Sequence, residues 1–133
     1  MEFHRESQEK MEINSASKLL FADMTYRLNG IAIQVRKEIG RYGREKQYCD
    51  LFELKLKENG IAYRREQTVG GTGNRFDFII ADKIVIEIKA KTFVIKEDYF
   101  QVQRYLHSVN LELGIIYNFR EEFVKPHRVL HLQ

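Results

Sequence analysis

Apolar residues recur at spacings of three and four from Leu20 to Ile39. Leu20, Met24, Leu28, Ile31, Val35 and Ile39 form the stripe of an amphipathic helix. Gly40-Arg41-Tyr42-Gly43 breaks the pattern. A second helix is predicted from about Arg44 to Asn59, with Glu45, Tyr48, Cys49, Phe52 and Leu56 on its stripe and Gly60 as its C-terminal cap. The period then shortens to that of strands: Ile61 to Val69, residues 75–81 and residues 84–90. A loop, Gly70-Gly71-Thr72-Gly73-Asn74, separates the first two, and Asp82-Lys83 turns between the last two. A third helix is predicted over 97–109, a fourth strand from Leu113 to Phe119 and a fifth from Arg128 to Leu132. The order α, α, β, β, β, α, β, β implies an α/β (α+β) fold, a mixed sheet of four to five strands with flanking helices.

The two most apolar strands carry charges in their midst. Asp77 interrupts Phe76-Asp77-Phe78-Ile79-Ile80, and Glu87 and Lys89 interrupt Ile84-Val85-Ile86-Glu87-Ile88-Lys89. Burying an ionised group costs several kcal/mol unless a partner offsets it. Alternation places Val85, Glu87 and Lys89 on one face of their strand and Asp77 with Ile79 on one face of the other. A turn centred on Asp82 sets Asp77 opposite Glu87, and a slip of one residue would separate them. Like charges directly opposite destabilise a ladder unless something binds between them.

Length and composition fit one soluble domain: 133 residues, 44% hydrophobic and 31% charged. Residues 1–17 are polar and aperiodic, a flexible N-terminal arm, and 18–133 form the single domain. The longest apolar runs are too short to span a bilayer. No signal-peptide pattern opens the chain, and one cysteine, Cys49, fits a reducing cytoplasm. The net charge is +3. From Val35 to Arg65, nine basic residues face five acidic ones, either a solvated helix face or a phosphate-contacting rim. His4, His107, His127 and His131 lack the paired spacing of a zinc site. The glycine-rich loop lacks the lysine of a P-loop. Cys49 reads as a packed core residue.

An Asp and a Glu on paired strands suit a hard cation such as Mg²⁺, which takes one or two carboxylates, waters and substrate phosphates. Such a metal polarises a scissile phosphate and acidifies an attacking water. Lys89 can orient that water or offset developing charge. Glu45, on an apolar stripe, is expected to face the sheet and not water. Gln101 and Tyr105, four apart on one helix face, can bond the lysine, an acidic ligand or a phosphate. A wet sheet face with a simple Glu87–Lys89 pair is the plainer alternative.

These residues in this order resemble the PD-(D/E)XK nuclease superfamily, and within it the GxxExxY family. The likeness runs from about Tyr26 to Phe119. It rests on Glu45-Lys46-Gln47-Tyr48 after Gly40, on Leu54 to Ile61 leading into Arg65-Glu66-Gln67, and on Asp77. It also rests on Glu87-Ile88-Lys89-Ala90, on Gln101-Val102-Gln103-Arg104-Tyr105-Leu106 and on the strand Leu113 to Phe119. The resemblance implies a nuclease-like sheet and Mg²⁺-dependent chemistry, with Mn²⁺ as substitute. By position it makes Glu45, Asp77 and Glu87 acidic catalytic and metal residues and Lys89 the catalytic lysine. Gln101 and Tyr105 would support the site or the substrate. Arg44 and Arg75 are further candidate substrate contacts. Tyr42 stands where the family's name-giving glycine is expected, and Phe76 replaces the superfamily's proline.

The expected activity is metal-dependent phosphodiester hydrolysis, with DNA favoured over RNA, no membrane partner and a homodimer as one arrangement. The competing expectation is a catalytically silent nucleic-acid-binding or protein-interaction module on the same fold.

Overall fold

The computed structural model of the chain describes residues 21–69 and 74–131. The expected arm, Leu20 and the Gly70–Gly73 part of the glycine-rich loop lie outside the described residues.

Helix α1, Ala22–Ile39, buries Leu28, Ile31, Ala32 and Val35 along the predicted stripe. It stops at Gly40, whose φ of +88° suits a residue without Cβ. Helix α2, Glu45–Glu58, buries Tyr48, Cys49, Phe52 and Leu56. It ends in a Schellman arrangement: Gly60, at φ +64°, donates to the Lys57 carbonyl, and Ile61 donates to Leu56 at 3.0 Å. The connection between the helices is held by Tyr48, whose hydroxyl donates to the Gly40 carbonyl at 2.6 Å and accepts from the Gly43 N–H at 2.8 Å. A Cβ on Gly43 would lie 2.5 Å from Ile39 Cγ2 and 3.0 Å from the Tyr48 ring, so only glycine fits this close approach.

Strands β1 (Tyr63–Val69), β2 (Asn74–Ile80), β3 (Ile84–Lys89), β4 (Leu113–Asn118) and β5 (Pro126–Leu130) form one sheet in that spatial order. Only β3 and β4 run parallel. Helix α3, Lys96–Val109, makes the crossover that a parallel pair requires. Asp98 caps it by accepting from the Ile95 N–H at 2.8 Å.

The sheet separates two cores. On one side α1 and α2 pack on Phe78, Ile80, Ile84, Ile86, Ile88, Ile115, Tyr117 and Phe119. On the other, Val102, Tyr105 and Leu106 of α3 pack on Phe76, Ile79, Val85, Ile116 and Val129. β3 and β4 are therefore apolar on both faces, which explains their near-continuous hydrophobic runs. No described helix is long and apolar enough to cross a membrane.

The β2–β3 turn has Ala81 and Asp82 both left-handed, at φ +52° and +57°. It sets Ile80 opposite Ile84 and Phe78 opposite Ile86, the register expected from a turn centred on Asp82. Strict alternation fails at Asp77. Phe76 and Phe78, two residues apart, lie in opposite cores. The β1–β2 ladder skips Asp77, passing from Arg65↔Phe78 to Gln67↔Phe76, and the β2–β3 ladder ends at Phe78↔Ile86. Asp77 thus does not share a face with Ile79 in the simple way that parity predicts. β5 also begins two residues earlier than expected, at Pro126.

Candidate active site

Asp77 sits where β2 and β3 part. Its Oδ2 accepts a hydrogen bond from the Ile88 N–H at 2.7 Å. A buried N–H that has left the ladder is costly without an acceptor, and the side chain supplies one. This turns Asp77 sideways, towards β3.

Glu87 is buried, at 5% exposure. Burial first, then its hydrogen bond to Asp77 and the Asp77 charge, push its carboxyl up to about 9; Lys89 pulls the other way and Glu45 adds to the rise. The group therefore keeps its proton at neutral pH. Lys89, two residues along, places Nζ 3.9 Å from Glu87 Oε2 and donates to Gln101 Oε1 at 3.3 Å. Helix α3 thereby reaches the acidic pair from its own side of the sheet. One turn further along α3, the buried Tyr105 packs edge-on against Phe76 at 6.2 Å. Its hydroxyl is pushed up to about 12, chiefly by burial, then by the charges of Glu87 and Asp77.

Glu45 comes from the other side of the sheet, as the first residue of α2. It is exposed, not turned from water as its place on the stripe suggests, because the buried stripe of α2 begins only at Tyr48. Its carboxyl is still shifted upward, by partial loss of water and then by Asp77, against the pull of Lys89 and Lys91. The outer edge of the residue is wet while the carboxyl lies within the field of the acidic pair. Asp77, Glu87, Lys89, Gln101 and Tyr105 thus converge, and Glu45 stands at the margin.

Arg44 and Arg75 are both exposed. Arg44 is the exposed N-cap of α2, and its backbone N–H donates to Gln47 Oε1 at 2.8 Å. Arg75 is exposed on β2, two residues before Asp77. The basic stretch is also largely engaged by the protein itself. Arg36 donates to the carbonyls of Phe119, Glu121 and Glu122. Lys55 pairs with Glu38, and Arg65 pairs with Asp50 and Glu53. These bonds tie α1 to α2 and to the segment after β4, and α2 to β1.

Three supporting residues lie outside the sequence expectation. Asn118, fully buried at the end of β4, accepts from the Lys91 N–H at 3.1 Å and donates to the Lys91 carbonyl at 2.7 Å. Lys91 Nζ lies 2.7 Å from Asp98 Oδ2. This chain fixes the backbone just beyond Lys89. A polar residue at the end of an otherwise apolar strand was the signal in the sequence. Elsewhere, His127 bonds the Tyr99 hydroxyl at 3.0 Å and pairs with Glu121. Cys49 is packed in the core, its thiol pushed up by burial.

Among the described residues no group of three or more His, Cys, Asp or Glu side chains is placed to hold a metal ion. The donor set at the parting strands is two carboxylates, one of which, Glu87, burial holds above the usual carboxylate range. That set fits a hard divalent cation, which needs only one or two carboxylates and completes its shell with water and phosphate.

A family model described as the PD-(D/E)XK nuclease superfamily matches residues 22–129. No curated protein matches at a significant level. Among solved structures, the chain is similar to one described as "Crystal structure of SSO0001", with 23% identity over 77% of this chain and a TM-score of 0.47. The match spans 62% of that structure's chain.

Proposed function

Because the chain belongs to the PD-(D/E)XK nuclease superfamily, we propose that it hydrolyses phosphodiester bonds in DNA, with Mg²⁺ or Mn²⁺ held by Asp77 and Glu87. One observation carries this reading above the rest: a buried Glu87 stands beside Asp77 where β2 and β3 part, with Lys89 Nζ 3.9 Å from the Glu87 carboxyl. A merely structural strand has no need to bury one carboxylate beside a second, half-buried one. When bound, the cation supplies charge to the scissile phosphate and acidity to an attacking water.

The chain's own residues supply the rest. Asp77 is aimed by its bond from the Ile88 N–H and cannot rotate without leaving that N–H unpaired. Lys89, steadied by Gln101, presents a positive charge where negative charge grows on the phosphate oxygens. Tyr105 closes the α3 side and excludes water beneath the acidic pair. Glu45, at the wet margin, is placed to accept a hydrogen bond from an incoming water, an outer role that suits its exposure better than direct metal ligation.

The test is cleavage of supercoiled, linear and single-stranded DNA with Mg²⁺ or Mn²⁺. Wild-type protein cuts and Lys89→Ala does not; equal activity in the two overturns the assignment. The silent-module reading draws on the small donor set of two close carboxylates. Salt-dependent DNA binding with no metal-dependent cleavage would favour it.

A further inference from the structure

Two aromatic rings close in sequence to site residues stand in solvent. Tyr42, three residues before Glu45, is 76% exposed, and Phe93, four residues after Lys89, is 71% exposed. Single exposed apolar residues are ordinary, but exposed aromatics grouped with charged residues mark a contact surface.

Tyr42 is also backed by charge. The guanidinium carbons of Arg41 and Arg120 lie 5.6 and 5.5 Å from its ring centroid. Both arginines are held in place. Arg41 Nε donates to the Arg120 carbonyl at 2.9 Å, and Arg120 Nε donates back to the Arg41 carbonyl at 3.1 Å. Arg120 also donates to the Gly43 carbonyl at 3.2 Å. A ring covered on both faces could not be 76% exposed, so Tyr42 keeps one face open to solvent.

The platform is tied to the site through backbone. Asn118 Oδ1 accepts from both the Arg120 N–H, at 3.3 Å, and the Lys91 N–H, at 3.1 Å. The Tyr42 loop, the end of β4 and the segment leaving Lys89 therefore form one stitched rim, with Phe93 two residues beyond Lys91.

We propose that this rim binds an unpaired polynucleotide strand, with bases stacked on Tyr42 and Phe93 and phosphates beside Arg41 and Arg120. This rests on the nuclease reading for the site and names its substrate class. An aromatic face is useful only to a base whose own face is free. A duplex hides its base faces in the stack, whereas single strands offer them, and stacking next to cations is the usual way such strands are held. Stacking is indifferent to the sugar, so the rim accepts DNA or RNA.

The experiment is anisotropy binding without metal, using labelled single strands of about 15 nucleotides in deoxy and ribo form and the matching duplexes. Wild type is expected to bind the unpaired form at least about tenfold more tightly in either arm. Tyr42→Ala and Phe93→Ala each lower that affinity about five- to hundredfold, with duplex affinity and melting temperature unchanged, while Tyr42→Phe retains it. Equal affinity for paired and unpaired forms, or neutral effects of both alanine variants, overturns the proposal. Cleavage is scored separately. If Lys89-dependent cutting persists while the platform variants are neutral, only the platform fails. If nothing is cut but Tyr42-dependent strand binding remains, only the nuclease reading fails.

Discussion

Asp77 and Ile88 are joined by a hydrogen bond of 2.7 Å from the Ile88 N–H to the Asp77 carboxylate, at the point where the β2–β3 ladder has ended. The carboxylate does the work of a missing rung. Structure and chemistry are thus vested in one side chain, and a substitution can separate them. Asp77→Asn keeps an acceptor oxygen, so its stability should stay close to wild type. Asp77→Ala leaves the buried N–H unpaired and should cost about 1–3 kcal/mol. Urea denaturation distinguishes the two. Metal-dependent cleavage should be lost in both variants.

Glu87 makes stability depend on pH in a direction opposite to that of a salt-bridged carboxylate. Unfolded, its carboxyl titrates near 4.5; folded and metal-free, near 9. Between these values the native state holds a proton that the unfolded state has released. Stability from this group is therefore fully present below pH 4.5 and is lost as pH rises towards 9. Glu87→Gln removes the dependence, and its amide can still donate to Asp77. Its melting temperature should exceed that of the metal-free wild type at pH 8–9, and the gap should close towards pH 4.5. A gap that stays constant across pH would show that Glu87 ionises freely in the fold.

Metal binding should displace that same proton. Titration calorimetry with Mg²⁺ or Mn²⁺ at neutral pH, in buffers of different ionisation enthalpy, should reveal release of about one proton per site. Saturating metal should also raise the melting temperature by mass action. Neither effect should survive in Glu87→Gln. Heats that do not vary with buffer would place the bound cation elsewhere.

Lys89 contacts Glu87 and Gln101 but belongs to no core. Lys89→Ala should therefore abolish cleavage while the metal-induced rise in melting temperature persists. Because Lys89 holds the Glu87 carboxyl down, its loss should shift the stability–pH profile of Glu87 further upward. Simultaneous loss of metal response and cleavage would assign Lys89 a structural role in place of a chemical one.

Gly114 on β4 faces α3 so closely that a Cβ would lie 2.5 Å from Val102 Cγ1. Val is stiff at χ1 and cannot swing clear, so Gly114→Ala should destabilise by about 1–3 kcal/mol through overpacking. Adding Val102→Ala should recover part of that loss. A double-mutant cycle with no coupling would mean that α3 shifts as a body instead.

Much of this architecture is set by local pattern, and so is readable from sequence. The 3-and-4 stripes locate α1 and α2 because each helix buries one face against a sheet. The β2–β3 register follows from the turn at Asp82, because a two-residue period leaves one register that keeps Ile80, Phe78, Ile84 and Ile86 on a common face. The charges of Asp77, Glu87 and Lys89 stand out because they interrupt strands that are otherwise apolar.

Tertiary structure decided what pattern cannot carry. Parity assumes an unbroken ladder, so it could not foresee that Asp77 turns sideways to satisfy Ile88. A helical stripe gives a direction but not a depth, so Glu45 looked buried although it lies at the wet first turn of α2. The basic residues of α1, α2 and β1 left two readings open in sequence, a solvated face or a phosphate-contacting rim. Arg36, Lys55 and Arg65 are consumed by carbonyls and carboxylates that only folding brings near. The chain alone thus determined which residues carry charge into the apolar strands. Only the fold, by bringing distant groups into one desolvated place, decided which of them meet and which carboxyl keeps its proton.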